Sequence, residues 1–392
     1  MIPYGRQHID DDDISSVLET LNSNWLTQGP KVPLFEQALA AYCSVQYGVA
    51  VNSATSALHL ACLALGISEK DTVWTSPNSF VASANCARYC RATVDFVDID
   101  IATGNMCCIT LEKKLKIAQE MNCLPKAIIP VHFAGQSCNM EKIAELARQY
   151  NFKVIEDASH AVGAEYKGKP VGSCEFSDIC VFSFHPVKII TTLEGGMAVT
   201  NNLDLANSMR LLRSHGVTND PNQMQGDSHG MWYYQQIELG FNYRMNDVEA
   251  ALGLSQLNKL NDFVARRQSI AKRYQELLKD SMDAVPLSIL PDNYSSFHLF
   301  VVKVAVATDE DKRRLVSLLR QSGILAHVHY IPIHMQPYYQ KLGFRQGDFP
   351  QAECYYNQAI TLPIFPSLTM ADLDTIIQTL KRHLRTIKND NS

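Results

Sequence analysis

A lysine in a long stretch without charged residues, Lys188, is the first residue whose type and surroundings suggest chemistry. It lies in ICVFSFHPVKIITTL, residues 179–193, between Asp178 and Glu194. Burial disfavours the charged form of a lysine, lowers its pKa and leaves an amine that attacks aldehydes. The alternative is an ordinary lysine whose charged end reaches the surface while its stem is buried.

A carboxylate, Asp157, ends an apolar run in FKVIEDASH, and His160 follows it. At the carboxyl end of a strand, a carboxylate can pair with the protonated ring nitrogen of pyridoxal phosphate, the pairing that makes this cofactor an electron sink. Asp157 could instead cap a helix, since Asp-Ala-Ser-His can open a turn. His160, taken alone, is more typical of a hydrogen-bonded core histidine.

Small and hydroxyl residues in NSATSALHL, residues 52–60, lead directly into a helical pattern. The first amides of a helix are free and its dipole favours an anion, so this segment could hold a phosphate, although an ordinary capped helix fits it too. The glycine motifs of dinucleotide-binding and P-loop proteins do not occur. A phosphate site, then Asp157, then Ser183 and Lys188 follow in an order that one cofactor, pyridoxal phosphate, explains.

Short β-branched runs alternate with helical patterns through the first two-thirds of the chain. This alternation predicts an α/β fold with a mostly parallel sheet between helices, and ligands of such sheets bind at the carboxyl ends of the strands. The predicted strands are Gly48–Val51, Thr72–Thr75, Thr93–Val97, Ala127–Val131, Lys153–Glu156, Ile179–Ser183 and Gly196–Thr200. The predicted helices are Ser56–Leu65, Ser79–Arg91, Leu111–Met121, Met140–Tyr150 and Leu203–His215.

A smaller α+β unit is predicted after a turn-rich boundary at Pro286–Ser296. Between the large sheet and this boundary lie an irregular loop, residues 216–230, and two long helices, Asn246–Leu260 and Phe263–Lys279. The small unit is predicted to contain a strand at His298–Val306, a helix at Asp309–Ser322, a strand at Ile324–Tyr330 and a helix at Met370–Ile387. We therefore expect an N-terminal arm (1–30), a large cofactor-binding domain (31–255) and a region of long helices and the small domain (256–392).

Composition argues against several classes of protein. Lys+Arg 35 against Asp+Glu 40 gives a net charge of -5 over 392 residues, which does not suit a nucleic-acid-binding protein. The apolar stretch at residues 49–68 is interrupted by polar residues, and the N-terminus carries four successive aspartates, so we expect neither a membrane helix nor a secretory signal. Without a C-x-x-C pair, the 11 cysteines are expected to be free thiols in the cytoplasm.

The sequence resembles the DegT/DnrJ/EryC1 family of nucleotide-sugar aminotransferases, whose fold is that of aspartate aminotransferase, fold type I of the pyridoxal-phosphate enzymes. The resemblance covers nearly the whole chain. It lies in NSATSALHLA, EDASHAVGAEYKGKPVGS, FSFHPVKIITTLEGG, RSHG and GFNYRMNDVEAALGLSQL. Within the family, LTQGP at 26–30 and AHVHYIPIHMQPYYQKLGF are most similar to the transaminases that act on a UDP-linked 4-keto sugar in pseudaminic acid biosynthesis.

The resemblance implies pyridoxal phosphate as the cofactor, with pyridoxamine phosphate between two half-reactions. Lys188 would be the catalytic lysine that bonds to the cofactor aldehyde, and Asp157 would pair with the ring nitrogen. Asn242 would reach the phosphate of the neighbouring subunit, which implies a homodimer with shared active sites. The implied cofactor-binding residues are Ala54 and Thr55 through their amides, Phe80 over the ring, Asp157, His160 against the ring, Ser183 through its hydroxyl, Lys188 and Asn242.

A second set of residues matches positions that line the sugar-nucleotide pocket in similar transaminases: Tyr4, Asn24, Trp25, Leu26, Thr27, Val328, His329, Tyr330 and Ile331. Two other interpretations of the C-terminal segment stay open. His327 and His329 on one face of a strand could bind a metal, but no acidic or cysteine partner is near in sequence, so we expect no metal site. The aromatic run YIPIHMQPYY could also serve domain packing.

The reaction that the resemblance implies moves the amino group of L-glutamate, which becomes 2-oxoglutarate, to C4 of a UDP-linked 4-keto-6-deoxy-N-acetylhexosamine. Three alternatives stay open. One is another branch of the family, making a 4-amino-arabinose, a perosamine or a 3-amino sugar. Another is a sugar dehydratase with the same cofactor, although relatives of that kind carry histidine where this chain has Lys188. The third is a non-catalytic sensor on the same fold.

Overall fold

The computed structural model describes residues 1–390. The strands are β1 (Ile2–Pro3), β2 (Tyr47–Val51), β3 (Thr72–Thr75), β4 (Thr93–Phe96), β5 (Ala127–Ile129), β6 (Lys153–Asp157), β7 (Glu165–Tyr166), β8 (Lys169–Pro170), β9 (Ile179–Ser183), β10 (Gly196–Thr200), β11 (Val217–Thr218), β12 (Gln235–Gln236), β13 (Ala284–Pro286), β14 (Asn293–Tyr294), β15 (Phe300–Val304), β16 (Ile324–Leu325) and β17 (Ala359–Leu362). The α-helices are α1 (Asp11–Leu21), α2 (Lys31–Cys43), α3 (Ala54–Ala64), α4 (Ala82–Tyr89), α5 (Cys108–Glu120), α6 (Met140–Tyr150), α7 (Leu203–Leu212), α8 (Asp247–Asn258), α9 (Leu260–Leu278), α10 (Asp309–Gln321), α11 (Pro337–Gln340), α12 (Pro350–Gln358) and α13 (Met370–Asp390).

Seven strands form the central sheet in the order β2-β10-β9-β6-β5-β3-β4. Only β10 runs against its neighbours, β2 and β9, and the remaining pairs are parallel. The predicted α/β class with a mostly parallel sheet is confirmed. Because β10 reverses direction, the connection from β9, residues 184–195, stays at the carboxyl end of β9, and this connection carries Lys188.

Both faces of this sheet are buried, which explains why its strands are apolar runs without alternation. In β9, Ile179 and Val181 pack into one hydrophobic cluster, and Cys180 and Phe182 pack into another on the opposite face. Successive side chains of a strand point to opposite faces, so one short strand anchors two helical layers. The carboxyl end of β9 is therefore held rigidly by the core.

The smaller C-terminal unit is built on an antiparallel sheet with the order β13-β15-β17. Apolar residues of α9, α10 and α13 cover it and form a hydrophobic cluster of their own. The N-terminal strand β1 pairs in parallel with β16, Ile2 opposite Ile324 and Pro3 opposite Leu325. This pairing joins the N-terminus of the chain to the start of the segment that contains residues 326–331.

The predicted strand Ile324–Tyr330 is wrong beyond Leu325, where β16 ends. His327 still makes an isolated bridge to Thr361, but the Tyr330 amide donates to the side chain of Asn78, in the connection after β3, 3.4 Å away. The segment therefore crosses from the small unit to the large one. At the other end of the chain, the aspartates of the N-terminus begin α1, with Asp10 and Asp13 in a capping box.

Residues 219–230 of the predicted irregular loop contain no strand or helix, whereas its start forms β11. Within residues 1–390, no helix combines the length and the apolar character needed to cross a lipid bilayer.

Candidate active site

A cavity of about 420 Å³ opens where β2, β6 and β9 end. The carboxyl ends of these strands meet at one edge of the sheet, where ligands of α/β proteins bind. Ten of the residues predicted from the sequence line this cavity: Tyr4, Ala54, Thr55, Phe80, Asp157, His160, Ser183, Lys188, His329 and Tyr330. They come from both ends and the middle of the chain.

Lys188 lies in the β9–β10 connection with its side chain at the cavity wall. The Thr191 hydroxyl and the Thr192 amide both donate to the Phe184 carbonyl, each at 3.0 Å, and these bonds hold the connection. Burial lowers the pKa of Lys188 to about 8, and the negative charge of Asp157 partly opposes this shift. The interpretation of Lys188 as a surface lysine does not fit, because the amine faces the cavity.

The lowered pKa predicts the reactivity of Lys188 in the cofactor-free protein. A neutral lysine amine attacks aldehydes, so modification of Lys188 by formaldehyde and cyanoborohydride should increase as the pH rises through about 8. Peptide mass spectrometry at a series of pH values measures this. Exposed Lys116, whose pKa is raised by its bond with Glu112, serves as the internal control. Equal midpoints for the two lysines would contradict the prediction.

Asp157 ends β6 and is almost completely buried. One carboxylate oxygen accepts a hydrogen bond from the Ser83 hydroxyl at 2.6 Å, and the other accepts from the Ser159 hydroxyl at 2.6 Å and the Ser159 amide at 3.1 Å. No helix begins here, so the alternative of a helix cap is wrong. Three donated hydrogen bonds therefore fix the orientation of this buried carboxylate.

The N-terminus of α3 faces the cavity next to the end of β9. Ser53 caps the helix by accepting from the Ser56 amide at 3.1 Å, and among residues 1–390 the amides of Ala54 and Thr55 have no acceptor. Ser183 lies beside them on the neighbouring cavity wall. Two free amides, a hydroxyl and the positive end of a helix dipole form a suitable site for a phosphate.

Gly196, the first residue of β10, allows this helix to approach the sheet. A methyl group at Gly196 would lie 2.4 Å from the Ala54 nitrogen and 2.6 Å from the Ser53 carbonyl carbon. We expect Gly196→Ala to cost about 1–3 kcal/mol of unfolding free energy and to weaken phosphate binding, because backbone must move. Denaturant unfolding measures the cost, and Gly5→Ala, with its nearest atom at 3.7 Å, is the control. Equal stability of the two variants would refute this explanation.

His160 is buried at the cavity wall, where its Nδ1 accepts from the Ala134 amide at 3.3 Å. Nε2 lies 3.0 Å from the Tyr330 hydroxyl. Burial lowers the pKa of His160 well below its usual value, and Lys188 and His329 lower it further. The ring is therefore neutral, carries its hydrogen on Nε2 and donates to Tyr330. Burial also raises the pKa of Tyr330, so its hydroxyl stays protonated.

His329 and Tyr4 form the wall contributed by the chain ends, with ring centroids 5.1 Å apart. His329 Nδ1 bonds with the Thr361 hydroxyl at 2.8 Å. Burial, and then His327 and Lys188, lower the pKa of His329 to about 3. The rings of His327 and His329 lie 4.6 Å apart, but in residues 1–390 no group of three or more His, Cys, Asp or Glu side chains is arranged to hold a metal ion.

The remaining predicted residues lie outside this cavity in the single chain. Asn24, Trp25, Leu26 and Thr27 form an exposed loop, tied to the start of α8 because the Asp247 amide donates to the Leu26 carbonyl at 3.0 Å. Asn242 is exposed, and its carbonyl accepts from the Asn52 side chain at 3.5 Å. Val328 lines a separate cavity, and Ile331 is about half exposed.

The sequence did not indicate the cavity residues Ser159 and His298, nor Ser83, which donates to Asp157 from outside the cavity lining. Ser159 stands two positions after Asp157, and an Asp-x-Ser turn is a signal that could have indicated it. Ser83 and Asp157 are 74 residues apart, and His298 reaches the cavity only because the small unit packs against the large sheet. No local pattern marks such contacts.

Comparison with known proteins decides the family of this chain. Residues 7–381 match the DegT/DnrJ/EryC1/StrS aminotransferase family. The chain belongs to this family. A UDP-4-amino-4,6-dideoxy-N-acetyl-beta-L-altrosamine transaminase from Campylobacter jejuni is 39% identical over 389 residues, 99% of each chain. A GDP-perosamine synthase from Caulobacter vibrioides is 37% identical over 386 residues, 98% of each chain.

Solved structures described as an aminotransferase and a putative sugar aminotransferase share the fold. PseC from Helicobacter pylori, an aminotransferase involved in the biosynthesis of pseudoaminic acid, superposes with a TM-score of 0.89 at 35% identity, covering 98% of this chain and 99% of PseC. The PLP form of Spr1654 from Streptococcus pneumoniae has a TM-score of 0.89 at 30% identity, with 98% and 99% coverage. The predicted fold and cofactor are confirmed: the protein is a pyridoxal-phosphate-dependent sugar aminotransferase of the DegT family.

The cavity fits this cofactor by its own chemistry. Two free helix amides and Ser183 can hold a phosphate, a buried carboxylate can hold a protonated ring nitrogen, and a lysine amine with a lowered pKa can bond to an aldehyde. All three kinds of group face one cavity. This arrangement is that of an enzyme rather than of a non-catalytic sensor, because binding alone needs no reactive amine.

Proposed function

We propose that this enzyme transfers the amino group of L-glutamate to C4 of UDP-2-acetamido-2,6-dideoxy-beta-L-arabino-hex-4-ulose, a UDP-linked 4-keto-6-deoxy sugar. The observation that carries the transfer of an amino group is the pair formed by Lys188 and Asp157 on one cavity wall. The similarity to the altrosamine transaminase, which extends over 99% of both chains, supports the sugar.

In this proposal, Lys188 is the residue that moves protons. When bound, the cofactor supplies an electron sink for the electron pair of the broken C–H bond. The neutral Nζ of Lys188 takes the proton from the substrate carbon that carries the amino group and delivers it to the aldehyde carbon of the cofactor. In the second half-reaction it moves a proton in the opposite direction. A pKa of about 8 leaves roughly one amine in ten neutral at pH 7, whereas an ordinary lysine leaves fewer than about one in a thousand.

The other residues bind and orient. Asp157, fixed by Ser83 and Ser159, keeps a proton on the ring nitrogen of the cofactor. The amides of Ala54 and Thr55 and the hydroxyl of Ser183 hold the phosphate. Phe80, 59% exposed in the single chain, covers the ring, and His160 supports it from the Asp157 side. In this scheme the large sheet supplies the cofactor site.

The nucleotide specificity separates this proposal from its nearest rival, an enzyme that acts on a GDP-linked sugar. The rival is suggested by the similarity to the GDP-perosamine synthase. We expect turnover with the UDP-linked 4-keto sugar to exceed turnover with GDP- or dTDP-linked 4-keto sugars by at least about tenfold in kcat/KM. Production of 2-oxoglutarate from L-glutamate measures the rate. Preference for the GDP sugar would replace the proposed substrate, and loss of the sugar oxygen without 2-oxoglutarate would indicate a dehydratase.

We also propose a homodimer in which Asn242 reaches the phosphate site of the partner. Exposed apolar residues near Asn242, among them Met231, Trp232, Tyr234 and Leu239, support an interface there. The loop of Trp25 and Leu26 is also exposed. In a second copy, these loops and Val328 and Ile331 would complete the sugar-nucleotide pocket around Tyr4, His329 and Tyr330.

A subunit-mixing experiment tests the shared site. Lys188→Ala and Asn242→Ala each inactivate the homodimer if both residues are required. In a mixed dimer, one site combines the intact Lys188 of one subunit with the intact Asn242 of the other, so activity should return to roughly a quarter of the wild-type value after statistical exchange. If Asn242 acts within its own subunit, mixing restores nothing.

A further inference from the structure

His298 lines the cavity beside Lys188, and no role described above uses it. The residue is only 4% exposed, and its ring centroid lies 4.5 Å from that of His160. Within residues 1–390, Nδ1 is buried without a hydrogen-bond partner. In the same residues Nε2 makes no hydrogen bond either, but it is not among the enclosed atoms, so it is the ring nitrogen that reaches the cavity.

The backbone around His298 is held in place at an energetic cost. Arg267 is buried without a carboxylate partner in the described chain, and its guanidinium donates to the carbonyls of Phe297 (3.1 Å), His298 (3.3 Å) and Ile364 (3.0 Å). Phe297 has a φ of 46°, in the left-handed region that a bulky residue rarely adopts. A buried cation, backbone strain and an unpaired Nδ1 meet at one residue, a pattern typical of functional sites.

The packing of this segment against the large sheet is also tight. The Ser296 hydroxyl donates to the His160 carbonyl at 3.0 Å, and the Ser296 amide donates to the Gly135 carbonyl at 3.0 Å. A methyl group at Gly135 would lie 3.0 Å from the His298 amide nitrogen. His298 therefore belongs to the small unit by sequence, but its position is fixed relative to Asp157 and Lys188.

The position of the ring hydrogen follows from the unpaired nitrogen. A buried N–H without an acceptor is rarer in proteins than a buried lone pair without a donor, so Nδ1 is the unprotonated nitrogen. The hydrogen of the neutral ring is then on Nε2. Burial lowers the pKa of His298 well below its usual value, and Lys188, His160, Arg267 and His329 lower it further, so the ring stays neutral.

We propose that His298 donates a hydrogen bond from Nε2 to an oxygen of the ligand that occupies the cavity beside Lys188. The acceptor is an oxygen next to the carbon that reacts with the Lys188 amine. Two atoms have this chemistry. One is the hydroxyl oxygen attached to the cofactor ring next to its aldehyde, and the other is an oxygen of the sugar near C4. The inference rests on the proposed role of Lys188 as the reacting amine.

Three substitutions at one position test the donor. A glutamine places its amide N–H near the position of Nε2, an asparagine places it near Nδ1, and a leucine has no donor. His298→Gln should therefore retain the wild-type properties that His298→Asn and His298→Leu lose. Borohydride trapping of the adduct on Lys188 in the wild type and all variants checks the proposed function separately, because it does not require His298.

Two measurements distinguish the sources of the acceptor. If the acceptor is the cofactor oxygen, the pH midpoint of the absorbance titration of the Lys188-linked cofactor shifts in the Leu and Asn variants. This titration is recorded without any substrate. If the acceptor belongs to the sugar, this titration is unchanged, and KM for the keto sugar rises by roughly 3- to 10-fold at constant kcat for the glutamate half-reaction.

Two outcomes would overturn the proposal. In one, the Gln, Asn and Leu variants all keep the wild-type titration and sugar KM. In the other, Gln and Leu are equally impaired, which indicates that the ring only packs. Thermal unfolding of each holoenzyme accompanies the assays, and should the Leu variant fail to fold, the comparison of Gln with Asn gives the answer alone.

Discussion

Lys188→Ala should reduce transamination by at least about 10³-fold, because the change removes both the nucleophile and the group that moves the proton. The residues proposed to hold the phosphate and the ring nitrogen do not include Lys188, so the variant should still bind the cofactor, without a covalent bond. Borohydride reduction and peptide mapping of the wild type should place the pyridoxyl group on Lys188. An adduct on another lysine, or turnover that survives the substitution, would refute its proposed role.

Lys312 provides a matched control for this experiment. Burial lowers the pKa of Lys312 to about 8 as well, but this lysine lines a separate cavity with Arg313 and Tyr356. If a lowered pKa were sufficient, borohydride would trap the cofactor on both lysines. We expect no adduct on Lys312, and Lys312→Ala should retain wild-type kcat, because Lys188 lines the same cavity as Asp157 and Lys312 does not.

Asp157→Asn should lower kcat by about 10²- to 10³-fold, the effect of removing an electrostatic group that acts in the transition state. An asparagine can still accept from Ser83, so the fold should be retained, but it cannot keep a proton on the ring nitrogen. The substitution also removes the charge that raises the pKa of Lys188. In the cofactor-free protein, the pH midpoint of Lys188 modification should then fall below about 8.

Asp178→Asn is the control for the Asp157 variant. Asp178 lies just before β9, at the opposite edge of the sheet, where its carboxylate accepts from the Val154 amide at 2.9 Å. Its removal affects a strand connection but no cavity residue, so kcat and the Lys188 midpoint should stay unchanged. If both aspartate variants lost activity equally, the effect would come from the sheet rather than from the ring nitrogen.

The sequence predicted the central sheet well because its signals are local. Runs such as Ile179–Ser183 and Gly196–Thr200 are apolar, β-branched and bounded by breakers, and both strands have the predicted ends. The prediction failed at Ala326–Tyr330, where the run AHVHY alternates like a strand but leaves the strand pairing after Leu325. Contacts with Thr361 and Asn78 decide this path, and residues so distant in sequence leave no periodic signal.

The same distinction applies to the cavity. Asp157 and Ser183 end strands and Lys188 follows one, so their position in the pattern indicated them, and the family resemblance added Phe80, Tyr4, His329 and Tyr330. Ser83 and His298 could not be found, because Ser83 acts on a carboxylate 74 residues away and His298 depends on the packing of two units. The direction of β10 was equally hidden, since parallel and antiparallel strands have the same composition when both faces are buried.

The pairing of β1 with β16 has a consequence for any attempt to change the substrate of this enzyme by exchanging segments with a relative. Apart from Asn242, the groups expected to bind the cofactor lie in one continuous portion of the chain, residues 47–200, whereas Tyr4, His327, His329 and Tyr330 lie toward its two ends. Since Ile2 and Pro3 are hydrogen-bonded neighbours of Ile324 and Leu325, the two ends form one module. A chimera must therefore take both ends from the same parent.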